Sequence, residues 1–147
     1  MAQQIDARGP RFGAAITTVV LAAAFLTVGT TTATVLLVIQ ALAFGAGSIV
    51  GLAAQPYGWV FRKFVRPRLS GPIPLEAPQP PRFAQAVGLG FALAALVGVV
   101  LGSTVVTSVG VGFALVAAVL NAAFGFCLGC EIYLLLKRLT SVPAAAK

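Results

Sequence analysis

Cys127-Leu128-Gly129-Cys130-Glu131 sets two thiols and a carboxyl group within one short motif, in a stretch otherwise dominated by apolar residues. Cysteines three apart on a helix bring their Cα atoms within disulfide range, and side chains three and four apart share a face. Three kinds of chemistry suit this cluster. In thiol–disulfide exchange, one of Cys127 and Cys130 reacts with a partner, the other resolves, and Glu131 handles the proton. In soft-metal binding or passage, two thiolates and Glu131 make only half a site, and without histidine in the chain a second copy would complete it. The third option is packing alone, with small buried thiols and Glu131 neutralised by arginine or by protonation. An ionisable group inside an apolar span is costly, so a functional role is the default expectation. No cofactor is expected.

The elements that must carry this cluster follow from composition. Of 147 residues, 59% are hydrophobic and only 9% charged, whereas a soluble domain carries about 25% charged residues. The class is an integral membrane protein, and apolar runs near the ~20 residues needed for a spanning helix recur along it. The alternating pattern of a β-barrel is absent. Spans are expected at about residues 14–28, 34–54, 84–101 and 109–136, around a basic, proline-rich loop at 55–83. Gly29-Thr30-Thr31-Thr32 and Gly102-Ser103-Thr104 read as uncharged hairpin turns. The fold class is therefore all-α, a four-helix transmembrane bundle in a single domain.

Arg8, Arg11, Arg62, Lys63, Arg66, Arg68, Arg82, Lys137, Arg138 and Lys147 all fall in the N-terminal segment, the middle loop or the C-terminal segment. Four spans put those three segments on one side, and the positive-inside bias makes that side cytoplasmic, with both termini there. Basic residues that bracket spans argue against a nucleic-acid partner despite the net charge of +7. The first span also resembles a signal peptide, but the second half repeats it. Gly9-Pro10-Arg11-Phe12 matches Pro80-Pro81-Arg82-Phe83, and Ala43-Phe44-Gly45 matches Ala123-Phe124-Gly125. The chain thus reads as two parallel-repeat hairpins, with the first span retained.

Tyr57, Trp59, Arg62, Lys63, Arg66 and Arg68 mix rings with basic heads, the composition of an anchor in an anionic headgroup layer. A docking surface for a cytoplasmic partner is the alternative. From residue 67 to 81 the proline density predicts an extended strap, with Glu76 paired to a nearby arginine. Gly47 with Gly51, and Gly125 with Gly129, suit close helix packing within one bundle, or a homodimer face. Asn121 is expected to make an interhelical hydrogen bond. The fourth span, near twenty-eight residues, would cover about 42 Å, too long for the apolar core. Tilt or a break at Gly125 or Gly129 absorbs the excess. A break leaves Cys127 near the N-terminus of a short helix, where unpaired amides stabilise a thiolate and burial near Glu131 opposes it.

Several stretches together resemble a bacterial family of small four-span membrane proteins known only as a domain of unknown function. They are Gly9-Pro10-Arg11-Phe12, Pro56-Tyr57-Gly58 with Phe61-Arg62, Val65-Arg66-Pro67-Arg68-Leu69, Leu75-Glu76, Pro80-Pro81-Arg82-Phe83-Ala84-Gln85, and Gly125-Phe126-Cys127-Leu128-Gly129-Cys130-Glu131-Ile132-Tyr133. The resemblance covers almost the whole chain, and its last motif is the most specific. It implies a bacterial cytoplasmic membrane and a thioredoxin-like or sulfurtransferase partner, hence thiol or sulfur chemistry at Cys127, Cys130 and Glu131. A structural subunit without chemistry, or a soft-metal protein, is the alternative.

Overall fold

The computed structural model describes residues 3–141, so Lys147 lies outside the described residues. Strand β1 (Ile5–Asp6) leads into α1 (Arg8–Leu26) and α2 (Thr31–Gly45), which runs on through a π-helical turn, Ala46–Val50. Helix α3 (Pro56–Val60) continues as a π turn, Phe61–Val65, and a 3-10 turn, Arg66–Arg68. Then come β2 (Leu75–Glu76), α4 (Gln79–Val100), α5 (Thr104–Phe124) and α6 (Leu128–Thr140). Four helical stretches are long and apolar enough to cross a membrane: Arg8–Leu26, Thr31–Val50, Gln79–Val100 and Thr104–Phe124. The fold is all-α, as its composition requires.

The four long helices close a ring in which α1 and α4 each touch both α2 and α5. Leu21 and Ala24 from α1, Leu37 from α2, Ala95 from α4 and Val111, Ala114 and Ala118 from α5 fill the middle. Glycines set the closest approaches. A Cβ on Gly98 would stand 2.5 Å from the Thr107 amide nitrogen, and one on Gly88 would stand 2.8 Å from the Phe44 ring. Without a hydrophobic drive between helices in lipid, such backbone proximity supplies the contact that holds them together.

Both hairpins turn by the same device. Gly29 and Gly102 take left-handed φ values of 89° and 69°. Thr30 and Ser103 then cap the following helix by accepting the Ala33 and Val106 amides. The helices begin earlier than their apolar stretches. Pro10, Pro80 and Pro81 sit in first turns, where proline sacrifices no helical hydrogen bond. The strap expected at 67–81 is accordingly shorter: Pro67 lies in the 3-10 turn and Pro80 and Pro81 lie in α4. The fourth span ends at Phe124, not near 136, because Gly125 adopts φ 65° and terminates the helix there. Helix α5 is then about 31 Å long, a match to the hydrocarbon layer.

The Pro-Arg-Phe repeat is real at the level of contacts. Arg11, in the first half, donates to the Ala122 and Ala123 carbonyls at the end of α5 (3.2 and 3.4 Å). Arg82, in the second, donates to the Ser48 and Ile49 carbonyls at the end of the α2 extension (2.7 and 2.6 Å). Phe12 meets Phe61 and Phe83 meets Tyr133, each with ring centroids 5.7 Å apart. Such reciprocity is what an approximate two-fold relation between halves produces. The Ala-Phe-Gly match is not part of it. Gly45 is helical at φ −60°, and Phe44 is buried whereas Phe124 is 76% exposed. The true counterpart of Gly125 is Gly51, at φ 133°, which stops the first hairpin.

Candidate functional site

Gly125 begins the site. Its left-handed turn lets the Gly125 and Phe126 amides close back on the Asn121 and Leu120 carbonyls (3.0 and 3.1 Å), the pattern of a glycine-terminated helix. Arg11 takes the next two carbonyls, Ala122 and Ala123. The chain emerges pointing into a second, shorter helix, α6, and Cys127 is the cap at its start.

Cys127 and Cys130 form a disulfide with Cα atoms 5.1 Å apart. The Cys127 sulfur also accepts the Cys130 backbone N–H at 3.3 Å, and the Cys127 carbonyl accepts the Glu131 amide at 3.0 Å. Both cysteines are half-buried. The positive end of the α6 dipole therefore falls on the Cys127 sulfur, the setting that favours a thiolate once the bond opens. The pair lies past the end of the fourth span rather than within it. Glu131, expected inside the membrane span, sits instead in the first turn of α6 with its side chain exposed. Among the described residues, no group of three His, Cys, Asp or Glu side chains comes together as a metal site.

Helix α6 is held by backbone proximity. Gly129 rests on α4, where an added Cβ would stand 2.6 Å from the Ala84 Cα. Tyr133, one turn on, packs on Phe83. Lys137 and Arg138 occupy the last turn, complementing the negative helix end.

The residues grouped by sequence as an interface anchor divide in two. Tyr57 turns into the bundle, donating its hydroxyl to Gln40 Oε1 at 3.0 Å, and burial raises its pKa. Gln40, fully buried, donates in turn to Thr17 Oγ1 at 3.3 Å. Gln55 donates to Gln85 Oε1 at 3.2 Å. No sequence argument singled out Gln40, Thr17, Gln55 or Gln85. Asn121, expected to bond across helices, makes no side-chain hydrogen bond among the described residues; the amides of Gln40, Gln55 and Gln85 form that network instead. Trp59 remains half-exposed, with Lys63 Nζ 4.8 Å above its ring. Arg62 binds the Ala53 carbonyl at 2.7 Å and Arg68 the Phe64 carbonyl at 3.1 Å. Both remain exposed.

The N-terminal arm is stitched to the strap by β1 and β2, which pair Ile5 with Glu76 and Asp6 with Leu75. Asp6, not Glu76, takes the arginines: Arg8 at 2.9 Å and Arg66 at 3.8 Å. The hydrogen bonds from Arg8 hold the Asp6 carboxyl below its ordinary pKa. Glu76 is pushed above its ordinary value by burial and by the neighbouring Asp6 charge.

A family model described as Domain of unknown function (DUF4395) matches residues 5–138, from β1 into the last turn of α6. No curated protein and no solved structure matches the chain.

Proposed function

The chain belongs to the family described as Domain of unknown function (DUF4395), and we propose that it is a thiol–disulfide exchange protein of the bacterial cytoplasmic membrane, served by a dithiol partner. The observation that carries this reading is the Cys127–Cys130 disulfide at the N-terminus of α6, with the Cys127 sulfur accepting an amide. All the basic residues flanking the spans support a cytoplasmic position for this end. Disulfides in that reducing compartment are characteristically transient and catalytic rather than structural.

A thiolate of the partner attacks the Cys127 sulfur, the Cys127–Cys130 bond breaks, and Cys130 leaves with the electron pair. Cys130 then takes a proton, for which Glu131, one residue away and exposed, is the relay. The partner's second thiolate attacks its own sulfur in the mixed disulfide, forming the partner's disulfide and releasing Cys127 as a thiolate. The partner loses two electrons and this pair gains them, with one proton taken up at Cys130 and Cys127 left as the thiolate. A thioredoxin-like protein has the required dithiol.

Mass-shift labelling tests the reading. In intact membranes, a thiol-reactive polymer should label Cys127 and Cys130 only after reduction, and only from the cytoplasmic side. A reduced pair that never oxidises in cells, or labelling from the opposite side, overturns it. The same face meets anionic lipid through Lys63, Arg66 and Arg68. Trp59, the single tryptophan, should shift its emission to the blue when the reconstituted protein moves from neutral to anionic vesicles. Emission that ignores lipid charge would exclude that contact.

A further inference from the structure

Arg11 stands out because its counterpart, Arg82, does the same work where no cysteine follows. Each guanidinium spans two carbonyls at the end of the other half's second long helix. At the end of α5 the accounting is nearly complete. Leu120 and Asn121 are satisfied by the glycine turn, and Ala122 and Ala123 by Arg11. Helix ends leave four carbonyls without intrahelical partners, and their summed dipoles place a negative partial charge there. Here that negative end lies only a few residues before Cys127. Arg11 also lies against the turn itself, since a Cβ on Gly125 would stand 3.8 Å from its Nη1.

We infer that Arg11 is a positioning residue for the Cys127–Cys130 pair, fixing the Gly125 turn that aims α6 and cancelling the negative end of α5 beside the Cys127 sulfur. The inference rests on the exchange reading for its biological meaning, but its chemistry is independent of any partner. With Arg11 in place, Cys127 meets the positive end of α6 and a neutralised end of α5. Without it, the two helix ends oppose each other at the thiol. Arg82 provides the internal control: it makes equivalent and shorter bonds, to the end of the α2 extension, where the chain runs through Gly51 to Gln55 instead.

The test is the pH profile of alkylation of the reduced, full-length protein with iodoacetamide. Arg11→Gln should move the midpoint for Cys127 toward alkaline pH by roughly half a pH unit, the size of a helix-end charge effect. Arg11→Lys should recover part of that displacement by restoring charge without the two-pronged geometry. Arg82→Gln should leave the midpoint where the unmodified protein has it. Equal displacement by Arg11→Gln and Arg82→Gln, or none by either, overturns the inference. If Arg11→Gln does not fold, the comparison of Arg11→Lys with Arg82→Lys decides by the same criterion. Failure of the unmodified protein to exchange with any dithiol, alongside a midpoint that still depends on Arg11, would remove the functional reading and leave this one intact.

Discussion

Cys127→Ser is expected to abolish thiol exchange, lowering its rate by about three orders of magnitude or more, as loss of a nucleophile does. Cys130→Ser should instead stop the reaction halfway. The asymmetry follows from the cap: Cys127 receives the Cys130 amide at 3.3 Å and the positive end of α6, so its thiolate attacks and leaves best. In the reduced Cys130→Ser protein, Cys127 attacks a partner disulfide, and the mixed disulfide persists because no second thiol displaces it. That adduct is measurable as a partner-sized mass increase on a non-reducing gel. The loss in Cys127→Ser would not be a folding effect, because serine is among the best N-cap residues and would hold α6 in place. Equal behaviour of the two variants would reverse or remove the assigned roles.

Gly98→Ala should destabilise the bundle by about 1–3 kcal/mol, the usual cost of overpacking, and Gly98→Leu should prevent assembly altogether. The new methyl would meet the Thr107 amide nitrogen at 2.5 Å and the Thr107 hydroxyl at 2.6 Å. Backbone cannot step aside cheaply, and that hydroxyl already bonds the Ala95 carbonyl across the helix pair. Gly90, on the same helix, meets nothing within 4 Å. Gly90→Ala should therefore be neutral or stabilising by up to about 1 kcal/mol. Thermal unfolding in a mild detergent separates the two. If both substitutions are tolerated alike, α4 and α5 do not approach as described.

The architecture was largely legible because apolar length and the placement of charge report it directly. The Pro-Arg-Phe repeat was legible too, since two identical triplets stand out in so apolar a chain. Three features were not. The end of the fourth span hung on one backbone angle at Gly125, and a glycine in an apolar run marks either a notch or a stop. Gly129 turned out to be the notch and Gly125 the stop. The fate of Tyr57 depended on Gln40, seventeen positions away in sequence, a pairing that no local pattern encodes. Glu131 reads as part of a span because its neighbours are apolar, but the preceding helix stops at Phe124 and Glu131 lies in the first turn of the next one. At the candidate site, the residues and their spacing were evident from the chain, whereas the cap geometry and the service of Arg11 required the fold.

The crossed arginines carry a consequence for biogenesis. A nascent chain that has released only its first hairpin holds Arg11 with no carbonyls to bind and leaves the end of the α2 extension uncovered. The former waits for residues 122 and 123, the latter for residue 82. Neither half can be finished by itself in the translocon, and the lock that completes both closes only as the cysteine segment leaves the ribosome.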